Sequence, residues 1–172
     1  VEEAVNAGAG LLVFPEYGSM ELASIGGKAS DVQASFDVVS GLVPELDRVH
    51  AKLAAKHGVT IVAGSGPQRK AGCTMNVAHI FGPTGIRGHY DKIMPTPWER
   101  DPWHIASGKT LTVFDVGTAR IGLLICYDIE FPLLSRALAE AGAEIILAPS
   151  NTETEWGYWR VHTGAVARAL EN

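Results

Sequence analysis

Apolar and polar positions along this chain follow two rhythms. Short, fully apolar runs closed by Gly, Pro or Asn alternate with longer stretches where apolar residues recur every three or four positions. The first pattern is that of buried strands, the second that of amphipathic helices. Residues 1–7 read as the end of a helix stopped by Gly8. Residues 11–14 predict a strand that runs into Pro15-Glu16-Tyr17-Gly18, leaving Glu16 at its carboxyl end. Residues 19–37, with Gly26-Gly27 and weak periodicity, predict a loop with at most a short helix. Leu42, Leu46, Val49 and Leu53 share one helix face, with Pro44 in the first turn and Gly58 as the stop. Residues 59–63 are the next predicted strand.

Two hairpins then interrupt the alternation. Residues 75–81 and 86–90 flank Gly82-Pro83-Thr84-Gly85, a turn signal, and the second arm delivers Asp91-Lys92. Residues 93–108 contain Pro95, Pro97 and Pro102 and predict a long loop, which also carries Trp98, Glu99, Arg100, Trp103 and His104. A loop of that length and content points to function. Residues 111–116 and 119–126 form the second hairpin, around Gly117-Thr118. Leu133, Leu134, Ala137, Leu138 and Ala141 mark a helix stopped by Gly142. Residues 144–148 make a last strand, and residues 156–171 a last helix with Val161, Ala165 and Ala169 on one face. Without repeat or linker, residues 1–172 read as a single α/β domain with mixed sheets and helices on the outside.

Composition narrows the class. The 172 residues are 47% apolar and 19% charged, a globular balance with enough chain for a real core. A net charge of −5 argues against nucleic acid or an anionic membrane as partner. No apolar run approaches the length of a membrane span. The two cysteines, Cys73 and Cys126, form no disulfide framework, which points to a reducing, cytoplasmic setting. The six histidines lack metal-ligand spacing, so no metal site is expected.

The chemistry concentrates at residues 122–132, Gly-Leu-Leu-Ile-Cys-Tyr-Asp-Ile-Glu-Phe-Pro. An apolar strand stops at Cys126 and a helical pattern opens a few residues on, so the thiol sits on a sharp strand-to-helix turn. Open α/β sheets place ligands at that edge, and a nucleophile on such a turn has one open side and backbone N–H groups beside it. Glu16, Lys92 and Cys126 are then three strand-end groups with complementary chemistry. A thiol of ordinary pKa is only a few per cent ionised at neutral pH. A carboxylate can take its proton during attack on a carbonyl or nitrile carbon, and an ammonium can stabilise the oxyanion. Such a scheme calls for no cofactor. Each residue also has an ordinary alternative: Glu16 as a loop cap, Lys92 as a solvated turn residue, Glu99 paired with Arg100 or Lys109, Cys126 as core filling. Asp128 is expected to cap the helix after the cysteine turn.

Three of these segments, in this order, resemble the motifs of the nitrilase superfamily of carbon–nitrogen hydrolases. Leu12-Val13-Phe14-Pro15-Glu16 looks like its glutamate motif, Tyr90-Asp91-Lys92 its lysine motif, and residues 122–132 its cysteine motif. Arg168-Ala169-Leu170-Glu171-Asn172 is similar to a further recurrent segment. The resemblance implies an α-β-β-α sandwich that dimerises through the helix after Cys126 and the one containing Trp159. It implies Glu16 as general base and acid, Lys92 as oxyanion stabiliser, Cys126 as nucleophile, and Glu99 as a second glutamate orienting the lysine and substrate. Tyr127, through its N–H, and Trp98 are the expected oxyanion and substrate-binding residues. Family domains start before Val1 and continue past Asn172, so the expectation is a truncated domain.

The expected activity is amidase-type hydrolysis of a small non-peptide amide, carbamoyl compound or nitrile through a thioester, by a homodimer or higher homo-oligomer. Two alternatives stand beside it: an acyltransferase that resolves the same thioester with an amine, and a non-catalytic flavodoxin-like module with a structural Cys126.

Overall fold

A computed structural model describes residues 1–27 and 30–172. Strand β1 (Leu11–Val13) follows helix α1 (Glu2–Asn6) and pairs in parallel with β2 (Thr60–Lys70). Antiparallel pairing then adds β3 (Cys73–Gly82) and β4 (Gly85–Asp91). The short β5 (Ile105–Ala106) runs parallel to the start of β3, beyond the end of β4. A second sheet holds β6 (Val113–Asp115), antiparallel to β7 (Arg120–Leu123), which is parallel to β8 (Ile145–Leu147).

The two sheets share one core. Val62, Ala78, Ile80 and Tyr90 of the first meet Phe114, Ile121 and Leu123 of the second. On the outer face of the first sheet, helix α2 (Val32–His57) and α1 pack over Leu12, Val59, Ile61 and Phe81. On the outer face of the second, α4 (Pro132–Glu140) lays Leu138 against Gly122, where a Cβ would stand 2.8 Å from the leucine methyl. Val161 and Ala165 of α5 (Glu155–Glu171) pack on the same core. The layers are therefore helix, sheet, sheet, helix, and the sheets are mixed, as the two hairpins predict.

Helix α2 departs from the sequence reading. It begins at Val32 rather than near Leu42, because Asp31 caps it by accepting from the Ala34 N–H, and Phe36 and Val39 extend its buried stripe. Pro44 thus lies inside the helix instead of in its first turn, a placement that removes one amide donor and costs roughly 3 kcal/mol in an isolated helix. Tertiary burial of the stripe outweighs it. The stop is as read: Gly58 adopts φ 68° and donates to the Ala54 carbonyl. Gly18–Gly26, in the stretch read as loop, forms a 3-10 helix. The Gly82–Gly85 and Gly117–Thr118 hairpins form as expected. A third hairpin joins β2 to β3 through Ala71 and Gly72, both at positive φ.

Candidate active site

Glu16, Lys92 and Cys126 each leave the end of a strand. Glu16 follows β1, where the chain is held against a bulge in β2 between Val62 and Ser65. Gly64, at φ 77°, makes that bulge, and a Cβ there would collide with the Pro15 carbonyl oxygen. Ser65 closes the contact from the other side: its N–H donates to Pro15 O (3.3 Å) and its Oγ accepts from Tyr17 N (3.3 Å). Lys92 follows β4, its N–H on the Asn76 carbonyl (2.9 Å) and its own carbonyl accepting from Gly108 N (2.7 Å).

Cys126 sits where β7 turns. Leu124 N donates to Leu147 O (3.0 Å) and Cys126 N to Pro149 O (3.0 Å), so the strand tracks β8 up to the thiol. Cys126 then takes φ 48°, a left-handed conformation that an L-residue adopts only under constraint. A 3-10 turn, Cys126–Glu130, leads into α4 (Pro132–Glu140). Asp128 does not cap α4. Its carboxylate accepts from Ile125 N (2.9 Å), Met94 N (2.7 Å) and Tyr90 OH (2.8 Å), tying the cysteine turn to the segment after Lys92. Burial raises its pKa to about 6 against those donors.

The three segments converge. Lys92, 1% exposed, places Nζ 2.7 Å from Glu16 Oε1 and 2.7 Å from Glu99 Oε2. Glu99 belongs to the one-turn helix α3 (Pro97–Arg100) and closes a capping box with Thr96. It accepts from Tyr17 OH (2.6 Å) and Thr96 N (2.8 Å). It pairs with Lys92, not with Arg100 or Lys109. Asn76 Nδ2 donates to Glu16 Oε1 (3.1 Å) and Glu99 Oε1 (3.0 Å), and Asn151 N to Glu16 Oε2 (3.1 Å). The Cys126 thiol neighbours Glu16 and lies 3.9 Å from the Asn151 carbonyl.

Electrostatics separate the two glutamates. Burial pushes Glu16 above the usual carboxylate range, with the Glu99 charge adding to it, and Lys92 recovers only part of that. Burial also pushes Glu99 up, but Lys92, Tyr17 and the Thr96 N–H together hold it below its ordinary value. Burial and the Glu16 charge raise the Cys126 thiol to about 12, so the resting thiol is protonated. Burial alone would lower Lys92, yet the two carboxylates raise it, and it stays an ammonium. One glutamate is thus poised to exchange a proton with a thiol that needs a base, while the other is fixed as a counter-charge.

These groups open into a cavity of about 470 Å³. Trp98 and Tyr127 line it, together with Trp103, Trp156 and Arg160. The Trp98 side chain is largely exposed at the mouth. The Tyr127 ring packs edge-on to Phe131 with the Arg160 guanidinium over it, 5.7 Å from its centroid. Arg160 is in turn paired with Glu130 (2.5 Å). Glu16, Lys92, Glu99, Cys126, Tyr127 and Trp98, all read from sequence, share this one cavity. Asn76 and Tyr17 were not read. The signal for Asn76 is a polar residue in an apolar strand, and for Glu99's fixed position it is Thr96-Pro97-Trp98-Glu99, a capping-box pattern.

Helix, sheet, sheet, helix around a cysteine turn is the architecture of the nitrilase superfamily. The chain belongs to the carbon-nitrogen hydrolase family, whose sequence profile matches residues 1–172. It is 36% identical over 172 residues to the "Probable hydrolase YhcX" of Bacillus subtilis, covering 100% of this chain and 33% of that one. It is 34% identical over 164 residues to the "Bifunctional nitrilase/nitrile hydratase NIT4B" of Nicotiana tabacum, covering 86% and 46%. The carbon-nitrogen hydrolase structure from Helicobacter pylori superposes with a TM-score of 0.81 at 21% identity over 99% of this chain and 61% of that one, a likeness of fold. The chain spans a third to a half of the length of these curated relatives.

Proposed function

We propose that the protein of which residues 1–172 form part of a single catalytic domain is an amidase-type hydrolase of small non-peptide amides, carbamoyl compounds or nitriles. The observation that carries this reading is the Lys92 ammonium held at 2.7 Å by both Glu16 and Glu99 inside the cavity that Cys126 enters. A buried ion cluster of this kind is expensive to assemble and is poor evidence of stability for its own sake. Next to a thiol on a constrained turn it has a chemical use.

In the proposed cycle Glu16 accepts the Cys126 proton as sulfur attacks the carbonyl or nitrile carbon. For an amide, the tetrahedral oxyanion takes hydrogen bonds from Lys92 Nζ and the Tyr127 N–H. Each such donor is worth about 3–4 kcal/mol of barrier. Protonated Glu16 then donates to the leaving amine, the C–N bond breaks and the acyl group remains on sulfur as a thioester. Glu16 next draws a proton from water as it attacks the thioester carbon; the C–S bond then breaks and Glu16 returns the proton to sulfur, which releases the acid and restores the thiol. Glu99 keeps Lys92 aimed at the oxyanion, and Trp98 contributes to the wall on the substrate side. The resemblance and the exposed apolar residues of α4 and α5 support a homodimer, and the free thiols suit a cytoplasmic setting.

The deciding experiment is a turnover screen of the full-length protein against small amides, carbamoyl compounds and nitriles, with intact-mass detection of an acyl adduct. The adduct should map to Cys126, and Cys126→Ala should abolish adduct and turnover together. Turnover surviving in that variant would refute the reading. Added amine acceptors distinguish hydrolysis from acyl transfer in the same assay.

A further inference from the structure

Asn76 is fully buried on β3, opposite Pro67 of β2, in a stretch that is otherwise largely apolar. Its side chain is spent on the two carboxylates that flank Lys92: Nδ2 stands 3.1 Å from Glu16 Oε1 and 3.0 Å from Glu99 Oε1. An amide NH2 has two protons, so one goes to each carboxylate. Asn76 Oδ1 is buried with no partner among the described residues, so packing alone does not account for an amide at this point. The backbone of the same residue receives the Lys92 N–H at 2.9 Å. One residue therefore touches all three members of the ion cluster.

We infer that Asn76 is a positioning residue that ties Glu16 to Glu99 across Lys92 and so sets the geometry in which Glu16 meets the Cys126 thiol. It reaches neither substrate nor sulfur; it acts through Glu16. The inference rests on the functional reading of Glu16 as the base. Without the amide, each carboxylate loses a donor that favours its ionised form, and the two Oε1 atoms that share Nδ2 lose the protons between them. Glu16 then holds its own proton to higher pH and is less often free to take the thiol's. An aspartate of the same size would place a third carboxylate there and push Glu16 further in the same direction. A leucine removes the donor without adding charge.

The test uses full-length protein carrying Asn76→Leu or Asn76→Asp, with p-nitrophenyl acetate as acyl donor in single turnover and iodoacetamide alkylation of Cys126 as a second, turnover-free readout, both followed across pH. Asn76→Leu should move the acid limb of both profiles up by about one pH unit, slowing acylation by up to about tenfold on that limb. Asn76→Asp should move that limb further. Limbs that stay in place in folded variants would overturn the inference, even where rates fall, because a purely structural residue lowers the rate at every pH. Loss of the thermal unfolding transition in both variants would also overturn it, assigning Asn76 to the core. Absence of an acyl adduct on Cys126 from p-nitrophenyl acetate in the parent protein would instead count against the functional reading, and the iodoacetamide profiles would still decide the role of Asn76.

Discussion

Glu16 and Glu99 are the same residue type at equal burial around one ammonium, yet they differ in what else they touch. Each accepts one backbone N–H, Glu99 from Thr96 and Glu16 from Asn151, but Glu99 also accepts from the Tyr17 phenol, whereas Glu16 neighbours the Cys126 thiol. That asymmetry assigns the base role to Glu16 in the proposed cycle. Glu16→Gln keeps the size and removes the base, so kcat should fall at least about a hundredfold, the scale of general-base effects. Because burial raises Glu16 above its ordinary value of 4.5 and the ionised form is the active one, the acid limb of kcat/KM should lie above that value. A limb at or below it would count against Glu16. Lys92 makes a different prediction. Lys92→Met leaves two buried carboxylates without counter-charge, a loss of about 3–5 kcal/mol at neutral pH. In the variant the pair retains a proton that the unfolded chain releases, so its folded-state affinity for protons is raised. Stability is then greatest at low pH and falls as pH rises. Urea denaturation of parent and variant at pH 5 and pH 8 should show a gap that widens with pH.

At the scale of elements, strand ends and turns carried most of the legible signal. The apolar runs that stop at Glu16 and Cys126, and the hairpin that delivers Lys92, are local patterns, and each placed its terminal side chain correctly in the shared cavity. What sequence left out is set by contacts between distant segments. Asp128 looks like a helix cap from its neighbours, but its three donors come from Ile125, Met94 and Tyr90. The early start of α2 depends on Phe36 and Val39 finding a buried face, which a proline-centred reading of Pro44 conceals. The bulge at Gly64 belongs to this group too, since its purpose appears only when Pro15 is seen against it. Gly64→Ala must adopt φ 77° and clear the Pro15 carbonyl, so it should cost about 1–3 kcal/mol and displace the Glu16 loop. Activity should fall more than stability does; a variant that melts early but turns over at the parent's kcat would show that the loop does not depend on the bulge.

For the whole molecule, the four layers place chemistry and apolar surface on the same side. The second sheet carries Cys126 at the end of β7, and its outer helices leave Leu133, Trp156, Tyr158, Trp159, Val166 and Leu170 exposed. Leu170 is 87% exposed and Trp156 74%, unusual for residues of that size on one pair of helices. Helix α4 is fastened to the end of α5 by Arg136 donating to the Glu171 carbonyl (2.8 Å), so the two present a joined surface. The cavity wall reaches into the same helix through Trp156, Arg160 and Val161. If α4 and α5 form the homodimer face, association holds one wall of the site in place, and catalysis and assembly are linked. Leu170 does not line the cavity, and Leu170→Glu puts a charge into that face. In the full-length protein it should shift sedimentation from dimer toward monomer and lower activity in step with dissociation, with activity recovering as protein concentration rises. A variant that stays dimeric with unchanged activity would place the interface elsewhere.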